Sequence, residues 1–134
     1  MQCHHLSIKT RDIFRSLAFY EILGFRVEER FTAGITLACW LQGCQLRLEL
    51  MQVPTPAPTP DPWDPDYVGY YHLSFAVADV AATLAQLRQV IPDLQVLLEP
   101  ELQTIGPQTY QVAFIRDPDG LPIELLAVVG RENW

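Results

Sequence analysis

The chain is short of positive charge. Nine Lys and Arg stand against sixteen Asp and Glu, a net charge of −7, and no basic run occurs anywhere. Such a chain gains nothing from a phosphate backbone or an anionic bilayer surface, so neither nucleic acid nor membrane is expected as a partner. Long apolar runs are also missing. The longest, Ile35 to Leu41, is interrupted by Thr36 and is far too short to span a bilayer. Met1-Gln2-Cys3-His4-His5 lacks the basic-then-apolar pattern of a signal peptide. Cysteine is scarce: Cys3, Cys39 and Cys44 are odd in number and not at zinc-pair spacing, which favours reduced thiols and a cytoplasmic protein.

What is present is apolar content. At 134 residues and 49% hydrophobic, the chain is long enough for one domain with a real core. Cys3 to Lys9 alternates like a strand, with His5, Ser7 and Lys9 on one face and His4 on the other. Asp12 suits an N-cap, and Ile13 to Leu23 a helix with Ile13, Leu17 and Tyr20 in its stripe and Phe14 and Ala18 beside it. Gly24 stands where a helix-ending glycine belongs. Three strand-like runs follow: Phe25 to Phe31, Ile35 to Leu41 and Gln45 to Met51. Then comes a proline-dense stretch, Val53 to Pro65, which suits a stiff extended linker; an SH3-type ligand is the alternative reading.

After the linker the order repeats. Tyr70 to Val77 reads as a strand, Asp79 as an N-cap and Val80 to Ile91 as a helix. Leu94 to Leu98, Tyr110 to Arg116 and Leu121 to Val129 read as strands, with Pro100 to Gln108 a longer loop. Asp117-Pro118-Asp119-Gly120 is a tight turn into the last strand. His5-Leu6-Ser7 recurs as His72-Leu73-Ser74, 67 positions on, and Leu48-Glu49-Leu50 recurs as Ile123-Glu124-Leu125, 75 positions on. The expected architecture is therefore α+β: two tandem βαβββ modules forming a curled, cleft-bearing mixed sheet. Module one spans residues 1–53, the linker 54–66 and module two 67–134, within a single domain.

In each half a His lies on the first strand and a Glu on the last, opposite the large apolar residues. A pseudo-twofold would gather His5, Glu49, His72 and Glu124 around one point. Two imidazoles and two carboxylates suit a divalent metal with positions left open for substrate oxygens. Trp40, Trp63, Tyr70 and Tyr71 read as core or pocket wall rather than as catalysts.

The chain resembles the vicinal oxygen chelate superfamily, which includes glyoxalase I, bleomycin-resistance proteins and extradiol dioxygenases. The resemblance rests on Phe114 to Leu125, with its Arg-Asp-Pro-Asp-Gly-x-x-Ile-Glu-Leu pattern, and on Phe19-Tyr20-Glu21-Ile22-Leu23-Gly24-Phe25. Within it the chain looks most like small bacterial glyoxalase I, a glyoxalase-like fold. That likeness implies a lyase or isomerase with a divalent ion (Ni, Zn, Co, Mn or Fe) held by His5, Glu49, His72 and Glu124. It implies a small-molecule substrate with vicinal oxygens, proton transfer α to a carbonyl through a metal-stabilised enediolate, Glu124 as leading base and Glu49 as the carboxylate opposite. It implies a homodimer, with modules pairing across two chains or within one, and glutathione as a candidate co-substrate. At two positions the chain departs from glyoxalase I, with Val53 for a glutathione-contacting Asn and Lys9 for an Arg. Two other readings stand beside this one. An extradiol-type Fe(II) dioxygenase would need His5, His72 and Glu124, and a bleomycin-resistance-like protein would bind a small molecule without metal.

Overall fold

A computed structural model of the chain describes residues 1–131. It divides into two compact units, Met1–Thr59 and Pro60 onward. The first contains β1 (Leu6–Thr10), α1 (Ile13–Ile22), β2 (Arg26–Ala33), β3 (Thr36–Gly43) and β4 (Leu46–Gln52). The second contains β5 (Leu73–Ala76), α2 (Val80–Val90), β6 (Val96–Ile105), β7 (Gln108–Arg116) and β8 (Pro122–Arg131). Each is a βαβββ module, as the repeat predicts. The described residues contain no helix long and apolar enough to cross a membrane.

The expectation of one curled, cleft-bearing sheet is overturned. The strands form two separate four-stranded sheets, ordered β1-β4-β3-β2 and β5-β8-β7-β6, and neither is curled or closed. In each, the first strand runs parallel to the last and the other neighbours are antiparallel. The proline pattern supplies the physical reason. Beyond β4 the chain enters Pro54, Pro56, Pro58, Pro60 and Pro62, which lack the N–H that a ladder needs, so no strand carries one sheet into the next.

Both helices start on the aspartates that the sequence marks. Asp12 accepts from the N–H of Phe14 and Arg15, and Asp79 from that of Ala82. Gly24 ends α1 at φ 111°, a conformation open to glycine and strained for other residues. Helix α1 lies against β4 and α2 against β7 and β8. The buried stripe of α1 is Ile13, Ser16, Leu17 and Tyr20, joined by Phe19, whereas Phe14 and Ala18 are exposed. Beneath α1, Leu41, Leu48 and Leu50 are fully buried; in the second module Val80, Leu84, Ile115, Ile123 and Leu125 form the equivalent core. Each such side chain contributes about 2 kcal/mol of burial.

The expected loop at Pro100 to Gln108 is also corrected. Strand β6 runs through it to Ile105, and the turn is confined to Gly106 and Pro107. A proline is tolerated because β6 is an edge strand and its register against β7 shifts on both sides of Leu98.

Candidate functional site

Strand alternation sends Leu48 and Leu50 under α1 and Glu49 to the other face. On the neighbouring parallel strand, Ser7 lies directly across from Glu49 and donates its hydroxyl to Glu49 Oε1 at 2.7 Å. On the antiparallel side Trp40 lies across from Glu49, and its indole N–H donates to Oε2 at 2.8 Å. His5, one residue before β1, brings Nε2 to 3.6 Å from Oε2. Burial pushes the Glu49 carboxyl up, but the hydrogen bonds from Trp40 and Ser7, with the charges of His5 and His4, outweigh it and hold the group below the usual carboxylate range.

The second module repeats the construction. Ser74 lies across from Glu124 on the parallel neighbour and donates to Glu124 Oε1 at 2.6 Å. His72, one residue before β5, places Nε2 at 3.8 Å from the same oxygen. The position equivalent to Trp40 is Phe114, across from Glu124 on β7. Its ring has no donor to offer. It packs instead edge-on to His72 at 5.0 Å and against Trp63 at 4.9 Å. His72 Nδ1 is buried and has no hydrogen-bond partner among the described residues.

The structure thus brings together His5 with Glu49, and His72 with Glu124, each pair inside its own module. Their side chains keep between 13% and 30% of their exposure, so the groups remain reachable from solvent. Among the described residues no group of three or more His, Cys, Asp or Glu is placed to hold a metal ion. Sequence reasoning put His4 on the face away from the pair. Its ring instead meets His5 through an Nδ1–Nδ1 contact of 2.8 Å and packs edge-on to Trp40. Residues 4 and 5 precede β1, so strand alternation does not govern them. Trp40 as a donor was also missed. The signal available was its place nine residues before Glu49 in a hairpin, which only the register converts into a contact.

The Asp-Pro-Asp-Gly turn aims β8. Asp117 Oδ1 accepts from the N–H of Asp119 and Leu121, and Gly120 takes φ 92°. Arg116 clamps the turn by donating to Gly120 O at 2.7 Å, and its guanidinium forks onto Asp61 at 3.0 and 2.9 Å.

A cavity of about 440 Å³ in the first module, lined by Ile13, Leu17, Phe31, Leu37 and Arg30 among others, includes neither His5 nor Glu49.

Comparison with known proteins agrees with the fold. The family model for the glyoxalase/bleomycin resistance protein/dioxygenase superfamily matches residues 2–125. The uncharacterised protein YaeR of Escherichia coli (strain K12) is 36% identical over 132 residues, covering 92% of this chain and 94% of that one. A crystal structure of a glyoxalase family protein from Enterococcus faecalis superposes with a TM-score of 0.74 at 26% identity, over 93% of this chain and 96% of that one. A glyoxalase family protein from Bacillus cereus shares the fold, with a TM-score of 0.76 at 18% identity over 97% and 95% of the two chains. The chain belongs to the glyoxalase/bleomycin resistance protein/dioxygenase superfamily.

Proposed function

We propose that this chain is a divalent-metal-dependent enzyme of the glyoxalase I type, with His5, Glu49, His72 and Glu124 as the ligand set. The observation that carries this reading is the repeated His–Ser–Glu arrangement. Each module keeps a histidine within 4 Å of a glutamate and a serine donating to that glutamate.

The donor set fits such an ion. Imidazole nitrogen and carboxylate oxygen are the donor types that divalent first-row ions take. Each module supplies one such pair, at 3.6 and 3.8 Å, and the full set of four requires both modules. When bound, a divalent ion supplies Lewis-acid polarisation of two vicinal substrate oxygens. The chain's own groups do the rest. Glu124 takes and returns the proton α to a carbonyl, oriented by Ser74. Glu49 stays ionised as the opposing carboxylate. The substrate is a small molecule with neighbouring oxygens, and glutathione is a candidate co-substrate. The protein acts in the cytoplasm as a homodimer, with modules pairing across the two copies or within one.

The test is metal loading. Chelator-stripped protein is titrated with Ni²⁺, Zn²⁺, Co²⁺, Mn²⁺ and Fe²⁺, and turnover of methylglyoxal with glutathione is followed. A bound ion, a rise in Tm on loading and loss of both in His5→Ala and Glu124→Gln support the reading. Mixing those two variants in equal amounts restores about a quarter of the activity only if sites form between copies. Absence of any binding overturns it.

A second reading has its own observation. No group of three or more metal-type side chains is assembled among the described residues. A metal-free small-molecule binder needs none, and it is the reading that stands if no ion binds. Catechol ring cleavage with Fe²⁺ would instead select the dioxygenase, served by His5, His72 and Glu124.

A further inference from the structure

The two His–Glu pairs are alike in position and unlike in bracing. Glu49 accepts a donor on each oxygen, Ser7 on Oε1 and Trp40 on Oε2. Glu124 accepts from Ser74 on Oε1, and among the described residues no donor meets its Oε2. The difference is one of residue type at a single register position. Trp40 and Phe114 each lie across from the glutamate of their module, and only the indole carries an N–H.

Trp40 is itself held on several sides. Phe31 packs edge-on at 5.4 Å, the His4 ring at 5.1 Å and the His5 ring at 5.9 Å. The Arg47 guanidinium lies 5.7 Å over the indole, and it is fixed in turn by a forked pair of hydrogen bonds to Glu28 at 3.1 and 2.9 Å. A donor so confined holds its acceptor in one orientation. His5 is braced as well, through its Nδ1 contact with His4, whereas His72 Nδ1 has no partner among the described residues.

From this asymmetry we infer that Trp40 is a positioning residue that holds the Glu49 carboxylate in one orientation, a constraint that Phe114 does not place on Glu124 in the second module. The inference rests on the metal-dependent reading above and deepens it. The two glutamates of the repeat differ in how many donors orient them, and the difference is made by the residue facing each. A ligand preset by a neighbouring donor binds without having to be ordered first, so the donor's contribution is read in metal affinity.

The test compares wild type, Trp40→Phe, Glu49→Gln and the double variant, all as full chains, by calorimetric titration with Ni²⁺ and Zn²⁺. Phenylalanine keeps an aromatic ring and removes the N–H. Trp40→Phe should weaken binding about tenfold to a hundredfold. In the Glu49→Gln background the same change should cost little further, because Trp40 acts through that carboxylate. Thermal unfolding of the metal-free proteins separates this from a packing defect: the loss should appear with an apo Tm close to wild type. Wild-type affinity in Trp40→Phe overturns the inference while leaving the metal-dependent reading intact. An additive loss in the double variant, or a loss that only tracks a fall in apo Tm, overturns it too. Failure of the wild type to bind either ion removes the metal-dependent reading itself, and the inference with it.

Discussion

Ser74 and Glu124 face each other across neighbouring parallel strands, and the serine hydroxyl donates to the carboxylate at 2.6 Å. Of the two glutamates, this one has a single side-chain donor among the described residues. Ser74→Ala should therefore cost more at Glu124 than Ser7→Ala costs at Glu49, where Trp40 remains. On the metal-dependent reading proposed above, Ser74→Ala should lower metal affinity about tenfold, with a smaller loss for Ser7→Ala. Parallel titrations and initial rates of the two variants check this. Equal effects would mean that the serines serve the strands rather than the carboxylates.

The Arg116–Asp61 pair gives a pH prediction. The hydrogen bond from Arg116, helped by the Trp63 N–H, holds the Asp61 carboxyl below its ordinary value of 3.8 despite a small opposing effect of desolvation. A carboxyl lowered by folding stabilises the native state above its unfolded pKa, and that contribution is lost as pH falls through the lowered value. Wild type should thus lose stability faster than Asp61→Asn below about pH 4. The two should converge in stronger acid. Urea midpoints taken across that range decide it; parallel curves would show that the ion pair is not formed in solution.

Glycine substitution separates a crowded position from an open one. A Cβ at Gly43 would meet Gly24 O at 2.6 Å and Phe25 Cα at 2.8 Å, both backbone atoms that cannot swing aside. A Cβ at Gly130 meets nothing within 4 Å. Gly43→Ala should destabilise by about 1–3 kcal/mol, and Gly130→Ala by no more than about 0.5 kcal/mol. Chemical denaturation of both variants measures the difference.

Much of the module was legible because its signals are local. Asp12 and Asp79 announce helix starts, Gly24 a helix end, and the apolar spacing of Ile13, Leu17 and Tyr20 a buried face. The recurrence of His5-Leu6-Ser7 in His72-Leu73-Ser74 exposed the duplication, and with it both His–Glu pairs. What stayed hidden depends on which strands become neighbours. That Trp40 meets Glu49 follows from the β3–β4 register, and that Phe114 meets Glu124 from the β7–β8 register. Two separate sheets rather than one curled sheet is likewise a matter of pairing, which the period-two pattern of any single strand does not encode. The strand through Pro100 was hidden for a related reason. Proline argues against a strand until the strand is known to lie at an edge.

That same proline sets a limit on how copies of this protein can meet. An outer strand ordinarily offers a row of free N–H and C=O groups that invites a foreign strand to add on, the route to runaway aggregation. In β6 the row is broken at Pro100, and the irregular register around Leu98 spoils its spacing. The sheet is thereby discouraged from growing at that rim. Self-association there would have to proceed through side-chain surfaces instead of a continued ladder.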